Sequence, residues 1–242
     1  MADKKHYISR SESRAIAKEN SRAIRHFEKL KKRKCKPEEY TTVMQDDHNI
    51  VEFDDLHTYF FSDAGTVKAV NGVSFSIPEG STVGVVGESG CGKSVTSLSL
   101  MQLVQAPSGQ IVSGSIRFKA SLFKRDARGR KIPVYETVTD ADGKEQFKLD
   151  AKGRKVIKKN ELGGNVYEME DRVVDIAKMP VDAMRSIRGR EIAMIFQEPM
   201  TSLNPVFTIG NQLDEVGLLH IQGISKAQVK AHSIDMLKLV GI

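Results

Sequence analysis

The first regular pattern along the chain has a helical period. Residues 9 to 34 contain no Gly or Pro, and Ile16, Ala23, Ile24, Phe27 and Leu30 form a thin apolar stripe among basic residues. Lys31-Lys32-Arg33-Lys34 closes this helix near the negative end of its dipole, and Lys36-Pro37 stops it. From Ile50 the period drops to two. Ile50 to Phe53 and Val73 to Ile77 alternate as half-buried strands do, and Pro78-Glu79-Gly80 turns the chain. Thr82 to Val86 is a short β-branched run suited to a buried strand, and Ser94 to Val104 suits a helix carrying Leu98, Leu100, Met101 and Leu103. Gly114 to Phe118 reads as a further strand.

Residues 119 to 182 break this regularity. Asp126-Ala127-Arg128-Gly129, Asp140-Ala141-Asp142-Gly143 and Asp150-Ala151-Lys152-Gly153 read as turns between short β-capable runs such as Lys131 to Val138 and Lys155 to Lys158. A structureless loop of that length is rare inside a compact domain, so the spacing predicts a surface module of two or three hairpins. Beyond a basic segment through Arg185, Arg188 and Arg190, the run Glu191 to Phe196 reads as a buried parallel strand ending at Gln197. From Ile209 to Val240 two helices are expected, parted near Gly223.

Composition adds three constraints. The 242 residues, 28% charged and 40% hydrophobic, contain no apolar run near the ~20 residues that span a bilayer and no apolar signal-peptide core, which points to a cytoplasmic protein. Cys35 and Cys91 are too few and too far apart to suggest a structural disulfide. The net charge of +6 is concentrated at one end: residues 1 to 36 hold 13 Lys and Arg against 4 Asp and Glu, and the remainder 24 against 27. Nucleic acid is therefore not an expected partner of the main domain. The basic helix itself reads either as a solvated extension or as a helix for an anionic membrane surface.

The chemistry centres on Gly87-Glu88-Ser89-Gly90-Cys91-Gly92-Lys93-Ser94, which fills every fixed position of the phosphate-binding loop between an expected strand and an expected helix. Glycines at 87, 90 and 92 allow successive backbone N–H groups to turn towards an anion. The helix N-terminus adds unsatisfied donors and its positive dipole end. Lys93 is expected to reach the β- and γ-phosphates of a nucleotide and Ser94 to ligate Mg²⁺. The aromatic cluster Tyr59-Phe60-Phe61 offers packing or a ring for a nucleotide base. Gln197, at the carboxyl edge of its expected strand, falls near the same ligand.

The segment Gln197-Glu198-Pro199-Met200-Thr201-Ser202-Leu203-Asn204-Pro205, on a chain with this phosphate loop, resembles ABC transporter ATPases, and in particular the ATP-binding subunits of oligopeptide and dipeptide importers. The resemblance also takes in Ala69 to Phe75 and Arg188 to Phe196, and covers residues 50 to 118 and 184 to 242. It implies an α/β P-loop NTPase with a parallel-sheet core, an antiparallel β subdomain and the start of a helical subdomain, truncated at the C-terminus. Residues 1–48 would be a basic helical extension, and 49–242 the nucleotide-binding domain with an atypical insert at 119–182. The implied ligands are ATP and Mg²⁺, with Gln197 on the metal and its water. Adenine stacking falls on Phe60, counted back from Ala69-Val70, with Tyr59 the near alternative. The implied partners are transmembrane permease subunits, met by the loop after Gln197, and a second ATP-binding subunit, at the cytoplasmic face of the membrane.

Three features depart from the pattern: the basic extension, the insert, and the lack of a Leu-Ser-Gly-Gly-Gln signature, Walker B carboxylates and switch histidine after Gln197. Leu162-Gly163-Gly164-Asn165 imitates the signature from inside the insert, and Val173-Val174-Asp175 imitates Walker B weakly. The expectation is the N-terminal part of a longer subunit, with an ATP-binding fragment that does not hydrolyse as the alternative for these 242 residues. Another P-loop NTPase, such as a GTPase, has Asp140 to Gly143 in its favour but no Asn-Lys-x-Asp element.

Overall fold

The computed structural model describes residues 9–140, 143–197 and 203–242. Backbone packing divides the chain into two compact units, Met1–Ala120 with Asp171–Ile192, and Ser121–Glu170 with Ala193–Ile242. In the first, helix α1 (Arg10–Lys31) starts at a capping box in which the Ser9 hydroxyl accepts from Glu12 N–H while the Glu12 carboxylate accepts from Ser9 N–H. Strands β1 (Asn49–Ser62) and β2 (Gly65–Pro78) form a long antiparallel hairpin, and α2 (Lys93–Leu100) follows the phosphate loop. β3 (Gly109–Phe123) pairs antiparallel with β1. After the short strands β4 (Thr137–Thr139) and β5 (Glu145–Phe147), β6 (Met169–Asp175) completes a sheet in the order β2-β1-β3-β6, followed by the single turn of α3 (Val181–Met184). The sheet's core holds Leu56, Val70, Ile116, Val174 and Ile176, joined by Met101, Val104, Met184 and Ile187. Arg188 ties α2 to this core by donating to the carbonyls of Met101 and Gln102.

Helix α1 does not stand free. Buried Asn20 donates to the carbonyls of Ser62 and Gly65 and accepts from the Thr66 hydroxyl, which caps the turn of the β1–β2 hairpin, and Phe27 stacks on Phe61 at 6.2 Å. The helix is thus tied to the hairpin through Asn20 and through Phe27 of its stripe, in place of the solvated or membrane-bound extension expected, while Leu30 at its end remains exposed. No helix among the described residues is long and apolar enough to cross a membrane.

Two expected strands differ in the structure. Thr82 to Val86 and Glu191 to Phe196 join no sheet, and Val86 and Ile195 are 92% and 94% exposed. A parallel strand is stabilised only when neighbours satisfy its ladder on both sides and helices cover its faces. Among the described residues neither run has such neighbours, so β-branched composition alone does not build the strand.

The second unit contains a hairpin module and a helix pair. Three rings of three backbone hydrogen bonds run through the module: Lys124, Glu168 and Ile132 donate in turn around one ring, Val134, Val166 and Lys158 around the next, and Glu136, Val156 and Lys148 around the third. The segments Asp126 to Gly129 and Asp150 to Gly153 are turns, and residues 141 and 142 of the third Asp-Ala-x-Gly segment lie outside the described residues. The Asp150 carboxylate accepts from the N–H groups of Lys152 and Arg154 and from the Arg154 guanidinium, and Gly153 sits at φ +74°. Asp126 repeats the arrangement with Arg128 and Arg130. An ammonium lies over a ring in two places, Lys131 at 3.7 Å from Phe123 and Lys155 at 3.5 Å from Phe147. Helices α4 (Ile209–His220) and α5 (Lys226–Leu239) approach where Gly217 faces Val229 and the Ser233 hydroxyl donates to Asp214.

Candidate nucleotide site

The phosphate loop leaves the exposed run at Val86 and enters α2 at Lys93. Gly92 caps that helix at φ +99°, and a Cβ there would lie 2.4 Å from the Ala69 carbonyl oxygen of β2. Only glycine combines that conformation with so close an approach. Thr96 is buried one turn on, its hydroxyl donating to Gly92 O, and the Ser99 and Thr58 hydroxyls meet at 2.8 Å, which fixes α2 against β1.

The Lys93 ammonium turns back into its own loop. It donates to the carbonyls of Gly87 and Glu88, each at 2.6 Å, with the Cys91 sulfur at 3.6 Å. This holds a cation beside the N-terminus of α2, where positive potential and free N–H groups already favour an anion. A cleft of about 650 Å³ opens next to it, lined by Val70, Asn71, Val73 and Phe75 of β2, by Val83 to Val86, and by Cys91 to Lys93 of the loop. Its size and mixed lining suit a nucleotide-sized ligand.

Gly87, Ser89, Gly90, Cys91, Gly92, Lys93 and Ser94 thus belong to one loop and one helix start. The two aromatic candidates have different surroundings. Tyr59 pairs across the hairpin with Lys68, whose ammonium lies 5.6 Å from its ring, and donates its hydroxyl to Asn71 at 2.7 Å; Lys68 and Asn71 both line the cleft. Phe60 lies against Gly109, where an added Cβ would come within 2.8 Å of its ring. Lys68 was not foreseen as part of the site. The register that selects it follows from the two-residue connection Asp63-Ala64: with Ser62 opposite Gly65, Tyr59 falls opposite Lys68. Gln197 lies in the other compact unit, after the exposed run, and residues 198 to 202 of its loop lie outside the described residues. Among the described residues, no three His, Cys, Asp or Glu side chains cluster to hold a metal.

The motif imitations have structural explanations. Leu162 to Asn165 is part of a turn in which Asn160 N–H donates to Gly164 O and Asn160 Oδ1 accepts from Gly164 N–H, packed against Ile221 and Gln228. Asp175 is buried at the end of β6, accepting from the N–H groups of Ile116 and Ala177 and pairing with Lys178 at 2.9 Å. The Asp140 carboxylate accepts from Lys144 N–H and the Gln146 carboxamide. Each is occupied with local structure.

Comparison with known proteins agrees with the loop. The ABC transporter family model matches residues 70–242. The oligopeptide transport ATP-binding protein AppD of Bacillus subtilis is 35% identical over 79% of this chain and 42% of its own length, and the dipeptide transport ATP-binding protein DppD of the same organism is 34% identical over 80% and 42%. The glutathione import ATP-binding protein GsiA of Pectobacterium atrosepticum is 36% identical over 83% of this chain and 24% of its own length. The chain therefore spans about two-fifths of the length of the peptide-transport relatives it matches. A phosphate loop seated between β2 and α2, inside a match that takes in most of the chain, makes this protein a member of the ABC transporter family.

Proposed function

We propose that this chain binds Mg-ATP at the loop Gly87 to Ser94 and, within a complete subunit, powers import of peptides or a related small solute by an ABC transporter. In this reading residues 1–48 are an extension, and 49–242 are the nucleotide-binding domain with an insert at 119–182. The observation that carries the reading is Lys93, held by two loop carbonyls at the start of α2 on the edge of the 650 Å³ cleft. Its ammonium can exchange Gly87 O and Glu88 O for phosphate oxygens without leaving the loop. The loop amides and the α2 terminus bind the remaining phosphate charge. Mg²⁺, when bound, would neutralise charge between the phosphates, and Ser94 and Gln197 are the residues proposed to hold it. Tyr59 is the better candidate for the base, because its two neighbours line the cleft and Phe60 packs on Gly109. The names of the relatives support peptide import; permease subunits meeting the loop after Gln197, a second ATP-binding subunit and a peripheral position on the cytoplasmic face of the membrane belong to the same proposal.

Hydrolysis is assigned to the complete subunit. Phosphoryl transfer needs metal, positioned water and charge stabilisation together, and these 242 residues show no signature or Walker B motif after Gln197, so alone they are proposed to bind without appreciable turnover. The test of the site is Lys93→Ala, measured by equilibrium binding of Mg-ATP. Loss of at least ~100-fold in affinity is expected, because a cationic partner of the triphosphate is removed in a cleft of reduced dielectric. Equal affinity in the two proteins would refute the site. In a complete transporter reconstituted in membranes, Gln197→Ala should keep ATP affinity within a few-fold while transport-coupled hydrolysis falls severely. Full uptake and full stimulated hydrolysis in that variant would remove Gln197 from the coupling path.

A further inference from the structure

A second cavity, of about 340 Å³, lies in the first compact unit between the end of α1, strand β3 and the turn after β6. Phe27 and Leu30 of α1, Ile111 and Val112 of β3, and Met179 supply apolar walls. Two of those walls are fixed from behind: Phe27 by its stack on Phe61, and Met179 by burial and by the Gln102 carboxamide, which donates to its carbonyl. The cavity is therefore a formed feature of the packed unit.

Three cations line it, and they are not equivalent. Arg33 pairs with Glu39 at 3.6 Å and Lys178 with Asp175 at 2.9 Å. The acid that acts on Lys31 is Glu28 of its own helix, and that carboxylate already takes Lys32 at 3.2 Å and the Gln110 carboxamide at 3.0 Å. Among the described residues Lys31 has neither an ion pair within 4 Å nor a hydrogen bond from its ammonium. It is only partly exposed, and burial pushes its pKa down, with Glu28 opposing. An ammonium partly removed from water beside apolar walls lacks compensation that an anion would provide.

We propose that this cavity is a binding site for a small amphiphilic monoanion, an alkyl or aryl carboxylate whose apolar body lies against Phe27, Leu30, Ile111 and Met179 and whose head pairs with Lys31. Charge decides the sign of the ligand and the cavity its size: 340 Å³ lies near the lower end of small-molecule sites. The site uses no residue of the phosphate loop and stands independently of the nucleotide reading.

The experiment follows methyl signals of Ile111 and Met179 by NMR in the whole chain, titrated with decanoate below its micellar range, with decanol as the neutral match and acetate as the head alone. Saturable shifts with decanoate are expected, at least ~tenfold tighter than with decanol, as a hydrogen bond to a charged group supports, and none with acetate. Lys31→Met, which keeps the aliphatic stem, should lose at least ~tenfold of the decanoate affinity, while Lys31→Arg stays within ~threefold and Lys32→Met is unchanged. Mg-ATP affinity should be the same in all of them. Equal binding of decanol and decanoate, an unaltered Lys31→Met in a protein folded as judged by its methyl spectrum, or shifts that never saturate would each overturn the proposal.

Discussion

The phosphate loop and the hairpin module satisfy their backbones in opposite ways. In the module every tier closes on itself: three segments exchange hydrogen bonds in a ring, and each turn aspartate accepts the N–H groups that its own turn exposes. Around the phosphate loop, the strand-forming run Val83 to Val86 lines a cleft without entering a ladder, while the loop beside it is held by Lys93 and by the approach of Gly92 to Ala69. The module's turns close over a few residues, and its rings, although they join segments as far apart as Lys124 and Glu168, are completed entirely by residues of the module. The candidate nucleotide site depends on partners outside itself, since its β-branched run is stabilised only when another strand and a covering helix meet it. Burying each exposed valine would contribute about 1.5–3 kcal/mol, a driving force not realised at Val86. Regularity in the sequence and structural self-sufficiency are therefore separate properties: the region with the sharper motif is the one that leans more on its surroundings.

Three perturbations test that contrast. The largest effect is expected from Gly92→Ala, which puts a side chain at φ +99° and a Cβ 2.4 Å from the Ala69 carbonyl oxygen. Strain of about 1–3 kcal/mol from the conformation alone should lower Mg-ATP affinity at least ~tenfold, with amide exchange in residues 124 to 168 unchanged. If exchange in the module accelerated as well, the two regions would not be independent. A smaller effect, confined to the other region, is expected from Asp150→Ala. The amides of Lys152, Arg154 and Val156 should exchange several-fold faster while ATP affinity stays at the wild-type value, and a fall in ATP affinity would break the contrast.

Acid should give the smallest change. Backbone hydrogen bonds, from Arg130 N–H to Asp126 and from Arg154 N–H to Asp150, hold both carboxyls below the ordinary carboxylate range. A pKa depressed by folding contributes stability above the unfolded value, near pH ~3.9, and that contribution is lost as pH falls towards the folded value. Module amide protection should therefore be level from neutral pH to about 4 and decline below it. Protection that fell between pH 7 and 5 would show that groups other than these aspartates hold the turns.

The sequence by itself determined whatever depends on neighbours a few residues apart. Helices α1, α4 and α5 follow from apolar spacing and breakers, with Ser9 and Ser225 supplying capping boxes, and the module's turns follow from Asp-Ala-x-Gly, whose carboxylate and glycine close the bend without help. The phosphate loop is legible for the same reason: its donors are consecutive. Only the tertiary structure decided that Lys68 and Asn71, the neighbours of Tyr59, line the cleft while Phe60 lies against Gly109, because that rests on hairpin register and on residues of other strands. It also decided that α1 is held on the hairpin through Asn20 and Phe27, and that Thr82 to Val86 and Glu191 to Phe196 lie outside any sheet. Hydrophobic periodicity records that a segment has a face to cover, but what covers it is set by residues far along the chain, whose meeting depends on the whole fold.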